Sequence, residues 1–359
     1  MLGRMRRSMR PSMGATTALL FRSFVVASAR PLGTPPLHMV FGAAAIPHPE
    51  KQAKGGEDAY FFDDRSGSFG VADGVGGSAS AKVDPGLFSR EMLKRCFRAV
   101  SVRAASTDAD AADGALVDAL RTATAQPLAL GGSSTLLVGQ LDPSTGLLRM
   151  LNLGDSGAML LRPSYRKFRS GKLLWPRVVL RSHDQQHFFN CPYQASSEDL
   201  AQVPSRMDEL LAVAREGDIV VAATDGVLDN LFDSAIQLTI ARCLPAMMGA
   251  SEPQASQAAL DDLAQALARE ANAVGMREDE EGLRTPFQDA AAAEGYRFAG
   301  GKLDDVAIVC GLVRSGERPP PRMRSNFGGA SEEGEQQEYD GRVVSSSGAA
   351  ARSEAEAAT

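Results

Sequence analysis

The side chains of this chain that could do chemistry are carboxylates, and their spacing is unusual. Glu57 and Asp58 follow Gly56, Asp73 ends Gly70-Val71-Ala72 before Gly74, and Asp155 follows Gly154. Asp225 ends Ala222-Ala223-Thr224 before Gly226, with Asp229 four residues on, and Asp304 and Asp305 close Gly301-Lys302-Leu303. Each adjoins a small or apolar run that reads as a β-strand. A carboxylate at the end of a buried strand is costly unless something pairs with it. One Asp-Gly is an ordinary turn; a whole set beside apolar strands points to convergence. Convergent carboxylates form a hard, all-oxygen site for divalent cations. Without histidine or thiolate in the set, Mg²⁺ or Mn²⁺ is preferred to Zn²⁺. Two such ions, about 3.5–4 Å apart, can share a water, lower its pKa and hold a phosphoryl group for in-line attack.

The elements that must position these groups are mostly short strands. Ser134–Leu141 reads as a buried strand, as do Asp218–Ala223 and Val306–Val313. Leu148–Leu153 and Gly157–Leu161 read as two strands joined at Gly154-Asp155 by a hairpin-type turn. Asp84 and Pro85 open a helix whose Phe88, Met92 and Cys96 share a face. Leu116–Ala125 and Gln257–Ala273 are helical in period, and Arg206–Arg215 suits a short helix. Strands come in neighbouring runs with helices grouped between them. This argues for an α+β fold with antiparallel sheet rather than βαβ alternation.

Composition narrows the function. The 359 residues are 44% hydrophobic and 23% charged, as in ordinary globular proteins. Net charge is −6, yet residues 1–49 hold six arginines and no acid, which leaves about −12 on the remainder. Such a body lacks the basic face that nucleic acid requires. The Arg-rich, acid-free opening, with an apolar stretch from Ala18 to Ala27, has the composition of an organelle transit peptide. That stretch is interrupted by Arg22 and is too short to span a bilayer. Mitochondrion, most of all its matrix, is the expected destination, with plastid the alternative. Cys96, Cys191, Cys243 and Cys310 form no CxxC, which fits free thiols in a reducing compartment. Residues beyond about 315 are rich in Gly, Ser, Pro and Glu and read as a disordered tail. The expected organisation is a transit peptide and linker over 1–44, a globular domain over 45–315 and a tail over 316–359. Glycine-rich Gly74–Gly77 lacks a P-loop or dinucleotide fingerprint.

The order of the segments GEDAYFF (Gly56–Phe62), GVADGVGG (Gly70–Gly77), GGSSTLLVG (Gly131–Gly139), LNLGDSGAMLLR (Leu151–Arg162), ATDGVLDN (Ala223–Asn230) and GGKLDDVAIV (Gly300–Val309) resembles the metal-dependent protein serine/threonine phosphatases of type 2C. The resemblance implies a four-layer α-β-β-α sandwich, two antiparallel sheets flanked by helices, with two Mg²⁺ or Mn²⁺ ions at one end. It implies hydrolysis of phosphoserine and phosphothreonine in phosphoprotein partners by a water bridging the ions, in a protein that is commonly monomeric. By resemblance Asp73 bridges the ions, Glu57 and the Gly74 carbonyl serve one, and Asp225 and Asp304 serve the other. Asp58 stands beside the site to hold water, and Asp155 and Asp229 match a third, weaker ion. Asp305 stands where many members have asparagine and is the alternative to Asp304. The catalytic set implied is therefore Asp73, Asp225, Asp304 and Asp58. Two positions depart from the family: Val75 replaces a histidine proposed as the proton donor, and Ala53, with Lys51 and Lys54 nearby, replaces a phosphate-gripping arginine. A non-catalytic binding protein on the same fold is the reading those departures would favour. The ADGVGG form and SHDQQHFFNCPYQ (Ser182–Gln194) resemble a mitochondrial branch, that of T-cell activation protein phosphatase 2C. His183 and His187, four apart, read first as loop-stabilising side chains and second as substrate-facing groups.

Overall fold

Strands that are apolar on both faces need cover on both sides, and here sheet covers one and helix the other. The computed structural model describes residues 34–75, 83–104, 115–168, 171–249, 253–316 and 318–328. In chain order the strands are β1 (Leu37–Ile46), β2 (Ala59–Asp63), β3 (Ser68–Ala72), β4 (Ser133–Ser134), β5 (Leu136–Leu141), β6 (Leu147–Leu153), β7 (Gly157–Phe168), β8 (Gly171–Arg181), β9 (Gln186–Phe188), β10 (Cys191–Pro192), β11 (Ala195–Ser196), β12 (Asp208–Val213), β13 (Ile219–Ala223), β14 (Val306–Ser315) and β15 (Met323–Ser325). The helices are α1 (Pro85–Ala104), α2 (Ala115–Thr124), α3 (Val203–Arg206), α4 (Asp225–Leu228), α5 (Asp233–Gly249), α6 (Pro253–Gly275) and α7 (Pro286–Ala293).

Two large antiparallel sheets result, one ordered β1-β14-β13-β7-β8 and the other β12-β6-β5-β3-β2-β15, with two-stranded pairs β9-β10 and β4-β11 in addition. β14 shows how alternation builds the layers. Its Ala307, Val309 and Val313 face the second sheet, where Phe41, Phe62, Phe69 and Leu137 fill the space between sheets. Its Ile308, Cys310 and Leu312 face α5 and α6, meeting Ile236, Ile240, Leu260 and Leu263. On the far side, Phe61, Val138 and Leu153 of the second sheet receive Phe88, Met92 and Leu120 of α1 and α2. The expected four-layer α-β-β-α sandwich is the observed architecture. Each buried Phe or Leu contributes roughly 1.5–3 kcal/mol through lost apolar exposure.

Three expectations change. First, Gly154-Asp155 is not a hairpin turn. β6 pairs with β5 and β12, whereas β7 pairs with β13 and β8, so the turn carries the chain from one sheet to the other. Each strand has both edges occupied by other partners, which leaves no edge for the other. Second, residues 206–215 are not a helix. Residues Asp208–Val213 pair with β6 as an edge strand, and Leu210 and Ala212 reach the core between the sheets. Glu209 forms an ion pair with Arg149 across the ladder. The helix propensity of Glu, Leu and Ala is overridden by this tertiary pairing. Third, strand pairing runs past both bounds of 45–315. β1 begins at Leu37 and pairs along its whole length with β14, Leu37 opposite Ser315 and Ile46 opposite Val306. β15 adds to the edge of β2, and Phe327 packs against Phe61 and Phe97. A tail poor in apolar residues was expected to lack a partner; one phenylalanine and an open strand edge supply it. The proposed transit segment before residue 34 and the tail after 328 lie outside the described residues. No described helix is long and apolar enough to cross a membrane.

Candidate metal centre

The carboxylates named from sequence come together at one end of the sandwich, and strand polarity explains why. β3 and β13 end at this edge, while β2 and β14 start from it, so Asp73 and Asp225 follow their strands as Glu57, Asp58, Asp304 and Asp305 precede theirs. Asp155 arrives through the sheet-to-sheet crossing. The oxygens of Asp73, Asp155 and Asp225 lie within 4.8 Å of one another.

Backbone contacts lock the segments to each other. The Asp73 N–H donates to Thr135 Oγ1 at 2.9 Å, and the Thr135 N–H donates back to the Asp73 carbonyl at 2.9 Å. This exchange sits at the break between β4 and β5, where an unbroken strand was expected from Ser134 to Leu141. The Gly74 N–H donates to the Glu57 carbonyl at 3.2 Å. A Cβ on Gly74 would lie 2.7 Å from that same oxygen and 2.8 Å from the Pro85 carbonyl carbon, so only glycine fits. Gly226 is under the same constraint: a Cβ there would overlap the Asp305 carbonyl oxygen, which keeps the Asp225 and Asp304 segments in contact.

The members of the set do different work. Asp305 is buried and saturated: it accepts from the His48 N–H at 2.7 Å, the Glu57 N–H at 3.1 Å and Lys51 Nζ at 2.9 Å. It ties the 3-10 turn at Pro49–Lys54 to β14, leaving Asp304, which is partly exposed, as the freer neighbour. Asp58 is buried and accepts from Thr224 Oγ1 at 2.7 Å, while its carbonyl accepts from Asn326 Nδ2 at 2.8 Å. Asp155 is buried; its Oδ2 accepts weakly from Gln186 Nε2 at 3.4 Å, and its Oδ1 has no partner. Asp229 follows α4 and accepts from Lys302 Nζ at 2.7 Å.

Crowding of like charge shows in the protonation equilibria. Burial first, and then Asp225, push the Asp155 carboxyl up to about 8. Burial raises Asp229 to about 7, with Lys302 opposing and Asp225 adding to the rise. Asp73 is raised well above the carboxylate range by burial, then by Asp225 and Asp58. Asp58 is raised by burial and then by Asp305, and Asp304 by burial and then by Asp225. Acids packed this closely and this deeply resist ionising unless positive charge is brought among them.

Two lysines enter the group. Lys51 Nζ lies 2.6 Å from Glu57 Oε2 and 3.8 Å from Asp304 Oδ1. Lys302 pairs with Asp225, with Asp229 at 2.7 Å and with Asp304 at 3.6 Å. Burial would lower both ammonium pKa values, but the acids around them raise them instead. Sequence reasoning placed Lys51 only near the missing arginine and did not single out Lys302, although Lys302 sits inside the quoted GGKLDD segment. Ala53 is exposed on the 3-10 turn, and Lys51 supplies the cation from a different position on it. Thr135 and Thr224, the two hydroxyls that fix Asp73 and Asp58, also escaped notice, because threonine beside a strand carries no distinctive signal. His187 is exposed with its ring 4.4 Å from that of Tyr193, and His183 is exposed. Neither belongs to a ligand cluster among the described residues.

The arrangement fits a hard divalent cation. The donors are all oxygen, and one buried carboxylate oxygen, Asp155 Oδ1, is orphaned.

No family model matches the chain. Individual proteins do. It is 34% identical to "Probable protein phosphatase 2C 80" of Arabidopsis thaliana over 279 residues, 78% of this chain and 59% of that one. It is 33% identical to "Probable protein phosphatase 2C 55" of the same plant, across 79% of this chain and 53% of that one. With "Probable protein phosphatase 2C 26", also from Arabidopsis thaliana, identity is 32% across 78% of this chain and 86% of the relative. The chain thus spans little more than half the length of the first two. Among solved structures, "X-ray structure of the photosystem II phosphatase PBCP" superposes with a TM-score of 0.59 at 28% identity, over 76% of this chain and 98% of that one. Together with the carboxylate-lined end of the sandwich, these similarities show that the chain belongs to the protein phosphatase 2C family.

Proposed function

We propose that this chain hydrolyses phosphoserine and phosphothreonine in proteins at the carboxylate centre, with Mg²⁺ or Mn²⁺ as cofactor. The observation that carries the reading is the convergence of Asp73, Asp155 and Asp225, with Asp155 Oδ1 buried and unpartnered. Asp73, the Gly74 carbonyl, Glu57, Asp225 and Asp304 would hold two ions, and Asp155 stands close enough to Asp73 and Asp225 to join them. When bound, such ions activate water at neutral pH and neutralise phosphoryl oxygens. That need is large, because phosphate monoesters are among the slowest bonds to hydrolyse unaided.

The protein's own groups divide the remaining work. Asp58, held by Thr224, is placed to accept a hydrogen bond from water at the site. Lys51 brings a positive charge to the Glu57 side, where the family's arginine position is Ala53, and is proposed to meet the substrate phosphate. Val75 carries no titratable proton, so the leaving oxygen takes its proton from water.

Full-length protein with Mn²⁺ is expected to release phosphate from phosphoserine and phosphothreonine peptides and from p-nitrophenyl phosphate. EDTA should abolish both. Turnover of small phosphometabolites without turnover of phosphopeptides would replace this reading with a small-molecule phosphatase, and ion binding without any turnover would leave a binding protein. The site of action is proposed to be an organelle, the mitochondrial matrix, on the strength of the Arg-rich, acid-free residues 1–49. Fusing those residues to a fluorescent protein tests this; plastid fluorescence would correct the compartment, and a diffuse signal would remove the targeting role.

A further inference from the structure

Lys302 stands on the loop between α7 and β14 and is built into the centre at both ends. Its backbone N–H donates to Asn230 Oδ1 at 3.0 Å, and its carbonyl accepts from Asn230 Nδ2 at 2.8 Å. The same Nδ2 donates to the Gly226 carbonyl at 2.9 Å, next to Asp225. Its ammonium lies 5.1 Å from the centre of the Phe287 ring, and the Phe287 N–H donates to the Asp229 carbonyl at 3.0 Å. The side chain is largely buried. It is therefore not a surface lysine that has drifted toward the nearest acids.

Its partners divide the carboxylates. Among the described residues, the three whose oxygens approach closely enough to share an ion are Asp73, Asp155 and Asp225. Asp229 is outside that group, and its Oδ2 is bonded to Lys302 at 2.7 Å. A divalent ion seated on that oxygen would sit against a fixed ammonium, whereas Asp225, which also pairs with Lys302, has the Asp73 and Asp155 oxygens within 4.8 Å with which to share an ion. Like charges in contact in a partly buried site repel strongly, because little water screens them.

We propose that Lys302 is a protein-borne cation that takes the Asp229 side of the centre in place of a metal ion and positions Asp225 for the ions on the other side. This rests on the centre being a divalent-metal site. The consequence is a centre of two ions and one ammonium, in which the third cation is covalently part of the chain and independent of metal supply.

Metal counting tests it on the full-length protein, stripped with EDTA and titrated with Mn²⁺ by calorimetry, with bound metal measured after desalting. The wild type is expected to bind two ions. Asp229→Asn should also bind two, since Asp229 is committed to Lys302. Lys302→Met should bind one ion more, and Lys302→Arg should return to the wild-type count. A third ion in the wild type that Asp229→Asn removes would overturn the inference, as would a Lys302→Met count equal to that of the wild type. If Lys302→Met fails to fold by circular dichroism, the Asp229→Asn arm still decides. Wild-type protein that binds no Mn²⁺ overturns the metal-centre reading and this inference together, whereas two ions with no change in Lys302→Met overturns this inference alone.

Discussion

β13 carries an aspartate at each end, and the two live in opposite surroundings. Asp218, just before the strand, is fully buried and fully satisfied. It accepts from Arg162 Nε and Nη2, both at 2.7 Å, and from the Arg215 N–H at 2.8 Å. Asp225, just after the strand, sits among acids, and its bonded partner is the shared Lys302. The polarity extends to the neighbours. At the Asp218 end, burial first and then Arg318 and Arg314 push His38 down to about 4. At the Asp225 end, carboxyls are pushed up. At one end of the sandwich the buried carboxylate is paired by the fold. The other is left short of positive charge, which is the condition for binding metal rather than for stability.

Substitutions at each end should separate the two roles. The largest effect is expected at the metal end: Asp73→Asn should lower kcat/KM on a phosphopeptide by about 10³-fold, equivalent to about 4 kcal/mol of lost transition-state stabilisation, while circular dichroism stays native. An Asp73→Asn protein with full activity would sink the assignment of that end.

Next, Asp218→Ala should cost about 3–4 kcal/mol in urea unfolding, because it leaves Arg162 and the Arg215 N–H without their buried partner. Its Mn²⁺ count should not change. A loss under 1 kcal/mol would mean that the two ends do not differ as described.

The third test uses pH. His38 has a folded pKa of about 4, below its ordinary 6.5, so between these values the unfolded chain takes up a proton that the native chain refuses. Its contribution is therefore complete above pH 6.5 and is lost as pH falls toward 4, by at most about 3 kcal/mol. His38→Gln should flatten that acid limb in denaturant titrations; an unchanged limb would assign it elsewhere.

The smallest expected effect has the opposite sign. Asp155→Asn should stabilise the metal-free protein by about 1 kcal/mol at pH 8, since it removes a carboxyl that burial and Asp225 hold up to about 8. The same variant should gain less melting temperature from added Mn²⁺ than the wild type does. Destabilisation of the metal-free form would show that Asp155 is structural, like Asp218.

Much of this centre was legible before any coordinates. Asp73, Asp225 and Asp304 each close or open a small or apolar run, and the accompanying glycines mark places where backbone must approach backbone, as Gly74 and Gly226 do. The strands of the core were read from the same apolar runs, though not their partners. Gly154-Asp155 looks like a hairpin turn because a short loop between strands carries no information about which edges are already occupied. Residues Asp208–Val213 look helical because propensity is local, while the ladder with β6 that overrides it is not. Lys302 went unremarked because a lysine beside two aspartates reads as a solvated surface pair until the backbone brackets of Asn230 are seen.

The sequence by itself determined the donor chemistry: oxygen ligands only, on strand ends, in a chain whose folded part is acidic. It also determined apolar runs that need cover on both faces, in an α+β pattern with antiparallel sheet; the two sheets with helices outside them were implied only by the family resemblance. The tertiary structure alone decided which carboxylates are spent and which are free. Asp305 is consumed by two amides and Lys51, Asp229 is held by Lys302, and Asp155 keeps an oxygen without a partner. That division rests on which atoms lie within about 3 Å of each other across 73 to 257 residues of chain, and hydrogen bonds at that range are fixed by packing rather than by composition.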